Sequence, residues 1–535
     1  MSQNAEQFPT LNLLQRFSSG NLTKKHWTTR LIIISLMVLG FGLRVWGIGY
    51  GLPYLYHPDE PMVQNALAMV KTNDLNPHFF GYGSLFFYIN ALAYWGYYLL
   101  GKIAGLFSTT SDIPDLQLLG LGIGKSLMPS EIIVGRLISV LLGTLCIPIA
   151  YWLGTRLSNR RTGLLAAVFV TFSAPLVIHS QFITPNMLTT LLVLLTLAVL
   201  VWADSATRSP YLLSVLIGLV LGCAIASKYN AALLVIPCGV AYFLRYGWQM
   251  LKRVDFYLSL AVAGLTFLLV TPYALLDFPK FWADTVFHLR YYRTVSHPGM
   301  EGNTINFYLN YLFRQEGLVV FLSIVPIIGY IKSRNRTGLI LASFAIPYVL
   351  YISTLNIRND RTILITLPIL LIMAADVLEN ALQRIRKSDS RHFRQLALAL
   401  LATFIILSTT YLLYKTTENN IKKTTQDARE YARQWIETNV PTGTRIAMES
   451  YSPFIDPEHF DLNYFSELTL NSPEWYRQQD YDLLVFSSGR FERYYADPNR
   501  YSEQVAMYNT LWETFPEIMR FDQNGITIRV YQVTE

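Results

Sequence analysis

Long apolar runs broken by short polar turns dominate the chain up to about residue 414. They fall at residues 31–42, 132–153, 188–202, 212–226, 231–243, 258–276, 317–331, 339–355, 363–378 and 396–413. With modest flanks each approaches the ~20 residues that cross a bilayer as a helix. Beyond Lys415 the pattern changes. Residues 425–439 place Ala428, Tyr431, Ala432, Trp435 and Ile436 at helical spacing, and Pro441-Thr442-Gly443 ends that helix with turn chemistry. Residues 445–448, 481–486 and 526–533 read as strands, with a further helix near 502–515. The pattern predicts a polytopic α-helical membrane protein with a small C-terminal α/β domain.

Composition supports this. Of 535 residues, 52% are hydrophobic and 15% charged, whereas soluble domains carry about 25% charged residues. Cys146, Cys223 and Cys238 all lie inside apolar runs, as small core residues and not as a disulfide frame or metal cluster. Residues 1–30 are polar and end in Lys24, Lys25 and Arg30, with no small-residue cleavage site after the next apolar run. They read as a cytoplasmic N-terminal segment before a retained first span.

The formal charge of +7 could suggest a nucleic-acid partner, but its placement points to topology instead. If residues 84–107 do not cross the membrane, the basic short loops from Arg156, Arg160 and Arg161 to Arg391 and Arg394 share one side with the N-terminus. The positive-inside rule selects that solution. It yields about eleven spans, near 31–50, 131–155, 163–182, 187–204, 211–227, 230–246, 256–276, 316–331, 338–355, 362–383 and 396–414. The membrane domain then covers 31–414, with outer loops at 51–130 and 277–315 and an extracytoplasmic domain at 415–535. The first outer loop holds a helical hairpin expected to lie on the membrane.

Candidate chemistry concentrates after the first span, in His57-Pro58-Asp59-Glu60-Pro61. Pro61 suits a first helical turn, and Met62, Val63, Ala66, Leu67, Met69 and Val70 follow as an apolar face. Two adjacent acids there can cap the helix or serve as a base at the water–lipid boundary. Other polar groups fall at outer span ends: His179, Asn186, Lys228, Asp277, His288, Arg290, Arg293, Arg358 and Arg361. Each cation alone is explained by snorkelling to headgroups. Several on one face suggest a site for an anionic headgroup.

The run LRVWGIGYGLPYLYHPDE resembles the polyprenyl-phosphate-dependent glycosyltransferases of the GT-C class. Within them it is most similar to glycosyltransferase family 39, which holds the protein O-mannosyltransferases and the bacterial aminoarabinose transferases. Residues 83–88, Val134-Gly135-Arg136-Leu137, 173–188, Ser227-Lys228-Tyr229, Thr271-Pro272-Tyr273 with Asp277, and Arg361 before Leu367-Pro368 extend the likeness. One departure stands out: in Thr184-Pro185-Asn186 the family commonly has aspartate at the last position.

The resemblance implies a GT-C fold and transfer of a sugar from a polyprenyl phosphate to a hydroxyl of a protein, lipid or glycan, with inversion. Asp59 is then the base and Glu60 its helper, while Lys228, Arg361, Arg358 and His179 bind the donor. A divalent metal on Asp59 with His57 or His179 is open, since no ligand spacing compels it. The implied location is the plasma (inner) membrane, with the site and tail extracytoplasmic and no nucleic-acid partner. A ligase of lipid-linked glycans and a flippase or transporter are the alternatives. A transporter would place its ionisable residues at mid-membrane, whereas here they cluster at span ends.

Overall fold

Apolar length sets the first level of the architecture. In a computed structural model, which describes residues 24–119, 123–295 and 297–534, seven helices are long and apolar enough to cross a membrane, or eight counting one bent pair. Most of the predicted N-terminal segment, residues 1–23, lies outside the described residues.

Helix α1 (Lys24–Val45) opens the bundle and leads into the first long loop. That loop carries α2 (Gln64–Thr72), α3 (Ser84–Ile103) and a three-stranded antiparallel sheet. The sheet order is β1-β3-β2, from β1 (Tyr54–Leu55), β2 (Gln117–Leu119) and β3 (Ile123–Lys125). The bundle continues through α4 (Pro129–Leu157), α5 (Arg160–Phe172), α6 (Asn186–Ser205), α7 (Pro210–Ser227), α8 (Val235–Tyr246) and α9 (Val254–Leu269). The second loop contributes α10 (Phe278–Thr294) and α11 (Thr304–Glu316). Then follow α12 (Arg336–Ile352), α13 (Leu367–Arg386) and α14 (Arg391–Thr424).

Three details differ from the sequence expectation. The apolar face of α2 does not lie on lipid: Val63, Ala66, Leu67, Met69 and Val70 are buried with Phe86 and Phe87 of α3 and Ile132 of α4. The exposed apolar face belongs to α3, through Leu92, Trp95, Leu99, Leu100 and Ile103. Second, α11 joins a helical run from Thr304 to Ser333, so the last part of the predicted second loop is helix. Third, α14 runs past Lys415 to Thr424 before the tail begins.

At one end of the bundle the basic turns converge. Asn335 donates to the Leu157 carbonyl (3.0 Å), Asn159 to Glu379 (3.2 Å), and Arg245 to the Ala203 carbonyl. Side chains of Asn159, Asn335 and Ser390 cap the helices that start there, as N-cap chemistry requires. Deeper in the bundle, Arg44 is fully buried and donates to the carbonyls of Gly40 (3.0 Å) and Val170 (3.2 Å).

The tail is a five-stranded mixed sheet of order β5-β4-β6-β8-β7 behind α15 (Ala428–Asn439). Its strands are β4 (Arg445–Glu449), β5 (Asp461–Phe465), β6 (Leu483–Ser487), β7 (Glu517–Gln523) and β8 (Ile526–Gln532). It rests on the first long loop. Phe454 packs on Tyr54 of β1 (5.3 Å between centroids), the Arg429 guanidinium lies 4.0 Å from the Tyr56 ring, and Tyr56 bonds Glu430.

Candidate active site

The site begins where β1 ends. Pairing of Tyr54 and Leu55 with β3 fixes the chain direction, and Pro61 starts a short 3-10 helix, Glu60–Val63, with Asp59 in front of it. The two acids then diverge. Asp59 makes no capping hydrogen bond with its side chain; its carboxylate pairs with the Arg361 guanidinium instead. Glu60 turns into the core, where no part of it meets solvent. Its two oxygens accept from Nε (2.8 Å) and Nη2 (2.7 Å) of Arg136 on α4, and the Ile183 amide adds a third bond (3.1 Å). Arg136 also donates to the carbonyls of Ile48 (2.6 Å) and Tyr50 (2.8 Å). This buried bidentate pair anchors the loop to the bundle, and with its lone pairs so engaged the Glu60 carboxylate does not reach the cavity.

His57 supports Asp59 from behind. Its Nδ1 accepts from the Asp59 amide (3.2 Å), and its ring packs on Phe182 at 4.2 Å between centroids. Burial, foremost, with the nearby Arg361 charge lowers its pKa to about 3 against the pull of Asp59. The ring is therefore neutral at physiological pH, and the Nδ1 acceptor role assigns its proton to Nε2.

Arg361 lies on the short helix Asp360–Ile363. Its neighbour Asp360 stands 3.3 Å from His179 Nε2. Burial would raise the Asp360 pKa, but His179 and Arg361 hold that carboxyl well below the usual range. His179 is itself buried and engaged with Asp360, so it backs Arg361 and does not face the cavity. Arg358 also points elsewhere, to the Glu301 carbonyl and the Phe307 ring.

Lys228 sits just past the end of α7, in extended backbone. Its Nζ donates to Asn186 Oδ1 at 3.1 Å. Burial, chiefly, and the Arg361 charge lower its pKa to about 8, against Asp59. Gly83 allows the first loop to reach this point: a Cβ there would lie 1.9 Å from the Ala226 carbonyl oxygen. Tyr229 then holds that loop through the carbonyls of Phe80 (3.0 Å) and Tyr82 (3.1 Å).

Asp59, Lys228 and Arg361 line one cavity of about 300 Å³. Tyr82, Tyr292, Phe287 and Tyr351 supply much of its remaining wall. The cavity thus joins an acceptor of protons, two cations and flat aromatic faces suited to a sugar ring. Sequence reasoning missed the aromatic wall of α10, the Asp360–His179 pair and the Arg136–Glu60 anchor. Glu60, His179, His288 and Arg136 each carried a signal singly, as polar groups near span ends or a charge inside an apolar run; their pairing did not. Among the described residues no three of His, Cys, Asp or Glu gather as a metal site.

Comparison with known proteins follows the same outline. The model of the family "dolichyl-phosphate-mannose-protein mannosyltransferase" matches residues 120–287. No curated protein sequence matches the chain. Among solved structures, ArnT from Cupriavidus metallidurans bound to undecaprenyl phosphate superposes with a TM-score of 0.52 at 14% identity, covering 95% of this chain and 98% of that one. AglB from Archaeoglobus fulgidus, an archaeal oligosaccharyltransferase in complex with an inhibitory peptide and a dolichol-phosphate, gives 0.57 at 11% identity, covering 96% and 75%.

Proposed function

We propose that this chain, a membrane protein with the GT-C glycosyltransferase fold, moves a sugar from a polyprenyl phosphate to a hydroxyl acceptor on the extracytoplasmic face of the plasma (inner) membrane. The observation that carries the proposal is the convergence of Asp59, Lys228 and Arg361 on one aromatic-walled cavity. A hydroxyl is a weak nucleophile at neutral pH, so a carboxylate must take its proton as it attacks. Asp59 is that base, oriented by Arg361 and by the His57 contact to its amide. The new bond joins the acceptor oxygen to the anomeric carbon. The bond from that carbon to the phosphate oxygen breaks, and its electron pair leaves with the phosphate.

Negative charge then grows on the phosphate, where Lys228 and Arg361 stabilise it. Direct displacement of this kind inverts the anomeric configuration. Glu60 acts as a positioning residue through Arg136, and His179 positions Arg361 through Asp360. The tail, docked on the strand that leads to Asp59, is placed to select the acceptor: protein, lipid or glycan.

The test incubates the purified protein with a panel of polyprenyl-phosphate sugars and follows sugar transfer and slow donor hydrolysis. Turnover of at least one donor, lost in Asp59→Asn, is the expected result. Binding of such lipids with no transfer or hydrolysis, and lipid movement across vesicles instead, would replace this reading with a transporter.

A further inference from the structure

The two cations of the cavity are not equivalent. Arg361 is already paired with the Asp59 carboxylate. Among the described residues Lys228 forms no ion pair; its hydrogen bond goes to the neutral carboxamide oxygen of Asn186. Asn186 has no freedom to leave, because its amide nitrogen donates to Thr184 Oγ1 at 3.0 Å and it is buried at the start of α6. The carboxamide therefore holds the ammonium in place without neutralising it.

We propose that Asn186 sets the charge of the donor site: by giving Lys228 a neutral partner, it reserves that ammonium for the donor phosphate and couples phosphate binding to proton uptake. The inference rests on the function proposed above and specifies how its phosphate is received. Burial, chiefly, holds the Lys228 pKa down at about 8, so near that pH about half of the molecules carry a neutral amine. An arriving phosphate favours the ammonium, and the missing proton enters with it. Below pH 8 the proton is already present and affinity does not depend on it. Above pH 8 the apparent affinity falls, because each binding event must recruit a proton.

The other groups facing the cavity are accounted for. Asp59 and Arg361 line it with Lys228 and act on its charge in opposite directions; Tyr82 comes from the first loop, His288, Tyr291 and Tyr292 from α10, and Tyr351 from α12. Tyr229 adjoins Lys228 in the chain. Among the described residues none of them is a hydrogen-bond partner of the Asn186 side chain, which bonds Thr184 and Lys228. The second ionisation of a phosphate monoester lies near pH 6, below the window that matters.

The experiment titrates undecaprenyl phosphate into the full chain in detergent, by calorimetry, at about pH 7 and pH 8.5, in two buffers of different ionisation enthalpy. Wild type should take up about three quarters of a proton at the higher pH and little at the lower. Asn186→Asp places a carboxylate on the ammonium; affinity at pH 7 should fall about tenfold or more, and the uptake should vanish. Asn186→Gln should resemble wild type. If Asn186→Asp does not fold, Lys228→Met carries the test and should abolish the uptake. Wild-type affinity in a folded Asn186→Asp protein, or uptake that persists in Lys228→Met, overturns the inference and leaves the function standing. Failure of the wild type to bind the lipid phosphate at all overturns the donor assignment itself.

Discussion

The two ends of the bundle use charge in opposite ways. At the basic end, polar side chains serve the helices. Asn159 and Ser390 accept from backbone amides of the helices they open, Arg253 pairs with Asp255 at 2.7 Å, and Arg245 closes on a carbonyl. At the end that carries the long loops, Asp59 stands in an N-cap position yet does not cap, and Lys228 follows a helix end yet faces a cavity. Density of cations therefore does not mark the site. What marks it is polar groups that local structure does not use. Four sets of substitutions test this contrast.

The largest effect is expected at Asp59. Asp59→Asn keeps the side-chain size and removes the proton acceptor, so turnover should fall by about 10²–10⁴ in a folded protein. Near-normal turnover in that variant would return Asp59 to the same helical service seen at the other end. The measurement is initial rate at saturating donor, with thermal melting in detergent as the folding control.

Glu60→Gln should instead act on stability. It leaves the Arg136 guanidinium buried without its counter-charge, which costs about 3–5 kcal/mol. The double variant Glu60→Gln with Arg136→Gln should recover part of that loss, and denaturant melts read both. A single variant as stable as wild type would show that the pair is not the anchor described.

Lys228→Ala and Arg361→Ala should lower the rate at saturating donor by on the order of 10², not only the donor affinity. Arg361→Lys should retain part of the rate by keeping the charge. Ordinary kinetics in both alanine variants would move the phosphate site to Arg290 or Arg293 on α10.

The smallest effect is expected at the basic end. Arg253→Gln removes an ion pair whose arginine is about a third exposed while Asp255 is buried, so its stability cost should stay below that of Glu60→Gln. Its turnover should match wild type, and its melting temperature should shift by a few degrees at most. A large loss of activity there would erase the contrast between the ends.

Much of this fold was legible because spans announce themselves by length and hydropathy. In the tail, the predicted strands are β4, β6 and β8, which are the central ones. Both missed strands, β5 and β7, are sheet edges, where exposed positions dilute the apolar pattern. In the site, Asp59, Lys228 and Arg361 were legible as charges at span ends. Which of two adjacent acids would face the cavity came from the family resemblance and not from local pattern, since it depends on how the short helix Glu60–Val63 is rotated against α4. Nor was the Asp360–His179 pair legible, its members being 181 residues apart; no local pattern encodes such a contact.

The Glu60–Arg136 pair also bears on how the protein is made. Its partners are 76 residues apart, and the Ile183 amide that completes the carboxylate shell is 123 residues beyond Glu60. As synthesis proceeds, the first loop leaves the ribosome with an acid that has no counter-charge, and α4 arrives later with an arginine inside an apolar helix. Neither is at home alone in the bilayer interior. The loop can settle only after α4 has been delivered, and its shell closes only with the bent pair after it, Arg160–Phe172 and Ala174–Gln181. Biogenesis of the site thus waits on the second and third membrane segments, and a chain halted before Ile183 lacks the means to complete the turn that presents Asp59.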